Sequence, residues 1–548
     1  MRVCLVSLHW LLNPLREAGH EAICLDAPER GDLHVAEALE REGFKPDAVV
    51  VCEHLGRRFL PRGLDGVDCP VAFWGLDTHL NFFWQRRLAP LFDLVLTTQP
   101  SWVEPLRQAG SPLAENLPWL AFSRPWRPWA ERTSLAAFVG RLSAYRPARS
   151  AMVELLQSRF DLATHSGLLL RQVQDAYLDA RLVPNETIAA EANMRLFEGA
   201  ASGCLVFSPA EAVDQELFFE PGEEFIPYHH GLDLLHGMEW ARANPDKAEA
   251  MGRAAWERSR ADHMPANRAA RLVELLAGTT GGRTRGAEAE RLLLLARMEM
   301  WRGGRRADDA ASLARELAAR PDDPDCAAGL LSVHALTGKM ERGLATARDA
   351  AASDALSRHP ECALAASALS QRAGDPALAR FLLERHRRLT GQPRAALPQS
   401  PQELWTAWAG LMRRAGLTHR PGFAFDSARH LPACQLDCLV LANQEDPADR
   451  GAAKRLEEAL RRVPGSDTVR AGLLSGLSLH QPDDWRTGME LGLANLRIFR
   501  VEQGLEELAL ARDTAREAGR DGAFASRLRA ADPSGSIRRA LTLLQAGS

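Results

Sequence analysis

The 548-residue chain has no uninterrupted apolar run near the ~18 residues that a membrane-crossing helix needs. Its first residues, MRVCLVSL, carry one charge and a short apolar run, which fits neither a secretory signal nor a spanning segment. Strong charge of either sign is also lacking. The 67 Lys and Arg against 71 Asp and Glu leave a formal net charge of −4, which gives no reason to expect nucleic acid or an anionic membrane as the main partner. The nine cysteines contain no CxxC pair, and the closest spacing, Cys434 to Cys438, has no histidine ligand pattern beside it. Reduced structural thiols and a cytoplasmic location are therefore expected. No metal constellation stands out either. Asp77, Thr78 and His79 do not form a DxD word, and Asp322, Asp323 and Asp325 read as solvated charges in a turn between helices. Neither a metal nor another cofactor is expected.

What the chain does have is apolar residues, 46% of the total, on a length that implies about three or four domains. The first half alternates strands and helices. Candidate strands at 3–7, 22–26, 48–52, 71–74 and 94–97 are apolar runs of the buried parallel type. A second set, at 135–139, 160–164, 182–184 and 204–207, begins after the Pro- and Trp-rich passage LPWLAFSRPWRPW at 117–129. Each set reads as a Rossmann-like half.

The most informative segment is 193–203, NMRLFEGAASG, followed directly by CLVF. Met194, Phe197 and Ala201 share a helical face, Gly203 ends the helix, and a short buried strand follows. With VQDAYLDARLVP at 173–184 upstream and ELFFEPGEEFIP at 216–227 downstream, the words NMRLFE, ASG and FEPGEE resemble the C-terminal half of CgeB-like, spore-maturation type glycosyltransferases, relatives of retaining glycosyltransferase family 4. The resemblance covers residues 1–277 and is sharpest over 173–265. It implies the GT-B architecture, two facing Rossmann-like domains at 1–125 (acceptor side) and 126–277 (nucleotide-sugar side), with ligands at the carboxyl ends of the strands.

The resemblance also implies roles. Glu198 is the carboxylate that accepts the ribose hydroxyls. The helix beginning near Met194, with Asn193 as its cap and Arg195 in its first turn, offers its N-terminus to the diphosphate. Residues 186–192, ETIAAEA, are themselves good helix formers, so the helix start could lie a turn or two earlier. The family's first glutamate, eight positions before the ribose glutamate, falls on Ala190; Glu191 is one place off and Glu186 four. Arg141, Arg146 and Arg149 follow the first strand of the second half and suit a leaving diphosphate, Arg141 and Arg146 best. In the first half, the strand VAFWG delivers Asp77 and His79 to the cleft edge as acceptor-side base or hydrogen bonder, and His9, Glu53 and His54 occupy similar strand ends. Such catalysis uses arginine and a helix dipole in place of a cation.

Beyond a flexible linker expected at 278–287, with no apolar side chain in GTTGGRTRG, the chain reads as almost wholly helical. Helix pairs recur around Gly303, Gly338 and Gly374, 35 and 36 residues apart, near the ~34-residue tetratricopeptide period. An all-α, tetratricopeptide-like region is expected, as blocks at 288–392 and 403–548. Stacked helix pairs offer a concave face, so this half reads as a platform that recruits a protein or glycan acceptor. A chain cut near Gly278 is accordingly expected to fold by itself. The expected activity is sugar transfer from a nucleoside diphosphate sugar. A scaffold without catalysis and a sugar-nucleotide epimerase are the alternatives.

Overall fold

A computed structural model describes residues 1–29, 31–56 and 58–546. The chain forms two compact units, and each takes in one Rossmann-like half and part of the helical half: 1–117 with 272–459, and 118–271 with 460–548.

In the first unit, strands β1 (Arg2–Val6), β2 (Glu21–Leu25), β4 (Ala48–Cys52), β6 (Val71–Gly75), β7 (Leu94–Thr97) and β8 (Ala114–Asn116) form one parallel sheet in the order β2-β1-β4-β6-β7-β8. A separate two-residue pair joins β3 (Leu33–His34) to β5 (Pro61–Arg62). The five expected strands appear within a residue of their positions because each is a run of β-branched and other apolar side chains that only a doubly covered sheet buries. β8 has one apolar side chain, Ala114, and was not foreseen.

The first helix after residue 285 is part of this unit's core. On helix Gly286–Arg302, the side chains of Leu292, Leu293, Ala296 and Met300 join the cluster built by Val49, Phe73, Trp84 and Phe92 of the α/β part. The segment 278–287 differs from the flexible linker expected. Arg283 is buried in an ion pair with Asp93, and it donates to the carbonyl oxygens of Leu64 and Cys69 at 3.1 Å each. A segment without apolar side chains is thus anchored by charge, which hydropathy does not register. Asp323 and Asp325 are likewise not solvated: Arg87 and Arg291 each reach Asp325 at 2.7 Å, and Arg291 also pairs with Asp323. Helices Pro324–Leu336, Met340–Ala352, Pro360–Arg372 and Pro376–Leu389 pair in sequence around the turns at Gly338 and Gly374.

In the second unit, β9 (Ser134–Val139), β10 (Leu162–His165), β11 (Ala180–Pro184), β12 (Leu205–Pro209) and β13 (Phe225–Tyr228) form a parallel sheet in the order β10-β9-β11-β12-β13. The chain reverses direction across the sheet between β9 and β11, so their carboxyl ends mark the switch point where open α/β sheets take ligands. The last four helices, from Trp485–Arg497 to Ser536–Ala546, share this sheet's core: Met489, Leu493, Leu496, Phe499 and Leu508 cluster with Phe207, Tyr228, Leu232 and Leu235. The block expected at 403–548 is therefore divided after Ala459, and its final part completes a Rossmann-like domain. A chain ending near Gly278 would expose these apolar surfaces. All nine cysteines are free thiols, and no helix of the described residues is long and apolar enough to cross a membrane.

Candidate functional site

The carboxyl edge of the second sheet is organised around Asn185, the residue after β11. Its Oδ1 accepts from Arg195 Nη1 at 2.7 Å and from Asn193 Nδ2 at 2.9 Å, its Nδ2 donates to Ser208 Oγ, and its carbonyl oxygen accepts from the Tyr228 hydroxyl at 2.6 Å. Arg195 also donates to the carbonyl oxygens of Val139 and Glu186 and lies over the Phe138 ring, 4.4 Å from its centroid. One guanidinium therefore ties the ends of β9 and β11 together across the switch point.

The helix carrying these groups runs Met194–Ala201. The preceding ETIAAEA does not join it, despite its propensity. Glu191 is buried, and its carboxylate accepts the backbone amides of Ile188 and Ala189 at 3.0 and 2.9 Å, which folds the segment into a loop; Ala190 takes a left-handed φ of +56°. That conformation costs a non-glycine residue on the order of 1 kcal/mol. Asn193 holds the cap position, but its side chain does not cap. Its Nδ2 serves Asn185 and the Glu186 carbonyl instead, and no backbone amide of the helix bonds to its Oδ1. Arg195 and Asn193, expected to meet the donor, are thus committed to the framework of the edge.

Met194 and Glu198 are half-buried on the same helix. Burial pushes the Glu198 carboxyl up to about 7, against the pull of nearby Arg195. The helix ends at Gly203, whose φ is +75° and whose absent side chain makes room for the Trp126 ring; a Cβ there would lie 2.7 Å from it. Phe197 packs edge-to-face with Phe219 and His263, with centroids 5.5 and 5.2 Å away, so the words NMRLFE and FEPGEE meet in space.

Arg149 is buried in an ion pair with Glu186 at 2.6 Å. Arg146, half-buried, precedes helix Pro147–Gln157, and Arg141 is exposed on the loop after β9. A cavity of about 680 Å³ opens on this edge, within the size range of small-ligand sites. Glu186, Thr187 and Ile188 after β11, Pro209 at the end of β12, Tyr228 at the end of β13 and Arg146 line it.

The first unit holds the other expected residues. Glu53 is buried after β4, and its carboxylate accepts from Arg58 Nη1 and Asn81 Nδ2 at 2.7 Å, from the amides of Leu76 and Asp77 at 2.9 and 3.0 Å, and from Gln85 Nε2 at 3.0 Å. With its lone pairs so fully engaged it positions the Asp77 loop. His79 does not reach an open edge: it lies in helix Thr78–Leu88, 5% exposed, and burial lowers its pKa so that the imidazole stays neutral. Asp77 precedes that helix and is partly exposed. His9 is exposed after β1, with Nε2 2.8 Å from Asp26 Oδ1. Met194, Arg195 and Glu198, with Asn193, Arg141 and Arg146, thus share the second unit, whereas His9, Asp77 and His79 belong to the first.

Among the described residues, two carboxylate–histidine groups lie close enough to be considered for a cation. Asp325 and Glu361, beside His359, are both engaged by arginines. In the group of His230, Asp233 and Asp532, the His230 Nδ1 accepts the Asp233 amide, the Ser534 and Ser536 hydroxyls donate to Asp233, and the buried His230 Nε2 has no hydrogen-bond partner.

Sequence reasoning passed over Asn185, Tyr228 and the Arg149–Glu186 pair. Only the position of Asn185 directly after a strand could have marked it.

Residues 153–274 match the family described as glycosyl transferase-like, a span that contains the Met194–Ala201 helix. No curated protein matches the chain. Among solved structures, a sucrose-phosphate synthase from Thermosynechococcus elongatus is similar at 14% identity and a TM-score of 0.37, over 50% of this chain and 98% of that one. HepE of Anabaena in complex with UDP-glucose is similar at 10% identity and a TM-score of 0.37, over 50% and 99%. A glycosyltransferase from Rickettsia africae is similar at 8% identity and a TM-score of 0.36, over 50% and 97%.

Proposed function

We propose that the protein is a glycosyltransferase that takes a sugar from a nucleoside diphosphate donor bound at the carboxyl edge of the second sheet. The observation that carries this is the glycosyl transferase-like match over 153–274, within which Glu198 is a half-buried carboxylate on the helix after the switch-point loop. In this reading Glu198 accepts the ribose hydroxyls, and Arg141 and Arg146 meet the charge that grows on the leaving diphosphate. Asn193 and Arg195 act indirectly, by fixing the ends of β9 and β11. Asp77 is the candidate acceptor-side base. Transfer would retain the anomeric configuration, need no metal and take place in the cytoplasm. The acceptor, a protein or a glycan, would be recruited by the helical half, residues 288–548.

A panel of UDP, GDP, ADP, TDP and CMP sugars tests the reading by thermal shift and donor hydrolysis. A specific donor at a hundredfold excess over Kd stabilises by about 2.7 kcal/mol, and the absence of a shift with every donor would sink it.

A scaffold without catalysis is the second reading, favoured by the loop before the helix. Ala190 stands where the family resemblance asks for an acid, Glu191 is spent on backbone amides, and Glu186 is held by Arg149. A bound donor that is neither hydrolysed nor transferred would establish it.

A further inference from the structure

The C-terminal helices do more than bury the second sheet's apolar face. The chain between helices Arg450–Leu460 and Asp467–His480 lies directly on the loop after β11. Gly465 has φ +73°, and a Cβ there would stand 2.1 Å from the Ile188 carbonyl oxygen, so only glycine fits. Arg461 and Arg462, beside this contact, line the 680 Å³ cavity, and so does Arg497, at the end of helix Trp485–Arg497. All of these residues lie in the second unit.

The charge on the cavity wall is lopsided. It carries five arginines, Arg146, Arg461, Arg462, Arg470 and Arg497, against the carboxylates of Glu186, Glu211 and Asp467. Two of those acids are already neutralised, Glu186 by Arg149 and Asp467 by Arg470, each at 2.6 Å. Arg497 also pairs with Asp467, at 3.7 Å. A concave wall that carries more guanidinium groups than carboxylates suits a ligand with two linked phosphates, because each planar fork engages phosphate oxygens in pairs.

We propose that the C-terminal helical segment is a working wall of the donor site, in which Arg462 and Arg497 bind the diphosphate of the nucleotide in the cavity that Arg146 also lines. This rests on the glycosyltransferase reading and adds to it a contribution from outside the Rossmann-like domain. Sugar-donor binding would then require residues 460–548 for recognition as well as for folding.

The test uses the full chain with Arg462→Ala, Arg497→Ala and the double variant, after circular dichroism and melting establish that each is folded. Calorimetric affinities are measured for the best-binding nucleoside diphosphate and for its parent nucleoside. The expected result is a loss of about tenfold for the diphosphate in each single variant, more in the double, with nucleoside affinity unchanged and partial recovery in Arg497→Lys. Arg462 is exposed, so its variant serves even if Arg497→Ala weakens the fold. Diphosphate affinity within twofold of the parent protein in the Arg462→Ala and double variants would overturn the inference and leave the glycosyltransferase reading intact. Equal losses for nucleoside and diphosphate would overturn it too. A parent protein that binds no nucleoside diphosphate would overturn both.

Discussion

In the first unit the ends of β4 and β6 are fastened by a carboxylate, Glu53, which gathers two backbone amides and three side-chain donors. In the second unit the ends of β9 and β11 are fastened by a guanidinium, Arg195, which donates to backbone and side-chain oxygens. The two sheets are built alike, each with a share of the helical half in its core, yet these centres leave different surroundings. Five donors converge on Glu53 at the first edge, whereas Arg146 lines a cavity of about 680 Å³ at the second. Two sheets of one fold thus fasten their strand ends with opposite charges, and on the glycosyltransferase reading only the second edge takes the donor.

Removing residues 460–548 should break the comparison most severely. Met489, Leu493, Leu496, Phe499 and Leu508 are buried in the second unit's core, and at roughly 1.5–3 kcal/mol for each large side chain their loss rivals the whole stability of a domain, about 5–15 kcal/mol. The truncated chain should be insoluble or lack a cooperative melt of the second unit; a soluble monomer with an unchanged melt would show the helices to be an appendage.

Glu53→Ala leaves Asn81, Gln85 and Arg58 facing a buried gap, and should cost about 3–5 kcal/mol in denaturant unfolding of the first unit. Donor affinity should not change. A matching loss of donor binding would merge the two roles that the comparison separates.

Glu198→Ala should weaken donor binding by about 1.5–3 kcal/mol in a folded protein. Unchanged affinity would mean that the ribose contact lies elsewhere.

The Glu198 carboxyl adds a pH signature. Its folded pKa, about 7, lies above its ordinary value of 4.5, so the folded state holds the extra proton between the two. Stability contributed by this group is present below about pH 4.5 and falls as pH rises towards 7. Glu198→Gln should therefore match the parent protein at pH 4 and exceed it at pH 8 by about 1–2 kcal/mol, with partial exposure holding the gain below the full shift. Donor affinity in the parent protein should tighten as pH rises through 7, since the carboxylate is the better acceptor. Melting curves and calorimetry across pH 5–8 check both, and a flat parent profile would contradict the burial of Glu198.

The smallest contrast lies between two arginines. Arg146 lines the cavity and Arg141 does not, so Arg146→Ala should lower turnover at saturating donor by about tenfold more than Arg141→Ala. Equal effects would remove the distinction that the cavity draws.

The alternation of buried strands and helices, both Rossmann-like halves and the Met194–Ala201 helix were legible in the residues, because periodicity and strand length are local properties of an apolar run. So was the glycosyltransferase resemblance, carried by words that lie close along the chain. Three things were decided only by tertiary structure. ETIAAEA became a loop because one carboxylate, Glu191, found two amides. The segment 278–287 was fixed by a buried Arg283–Asp93 pair between residues 190 positions apart. The helical half was shared between two cores because amphipathic helices show that they need a partner and not which one. Local pattern determines what each segment can form; long-range charge pairing and the choice among apolar surfaces determine where it is used.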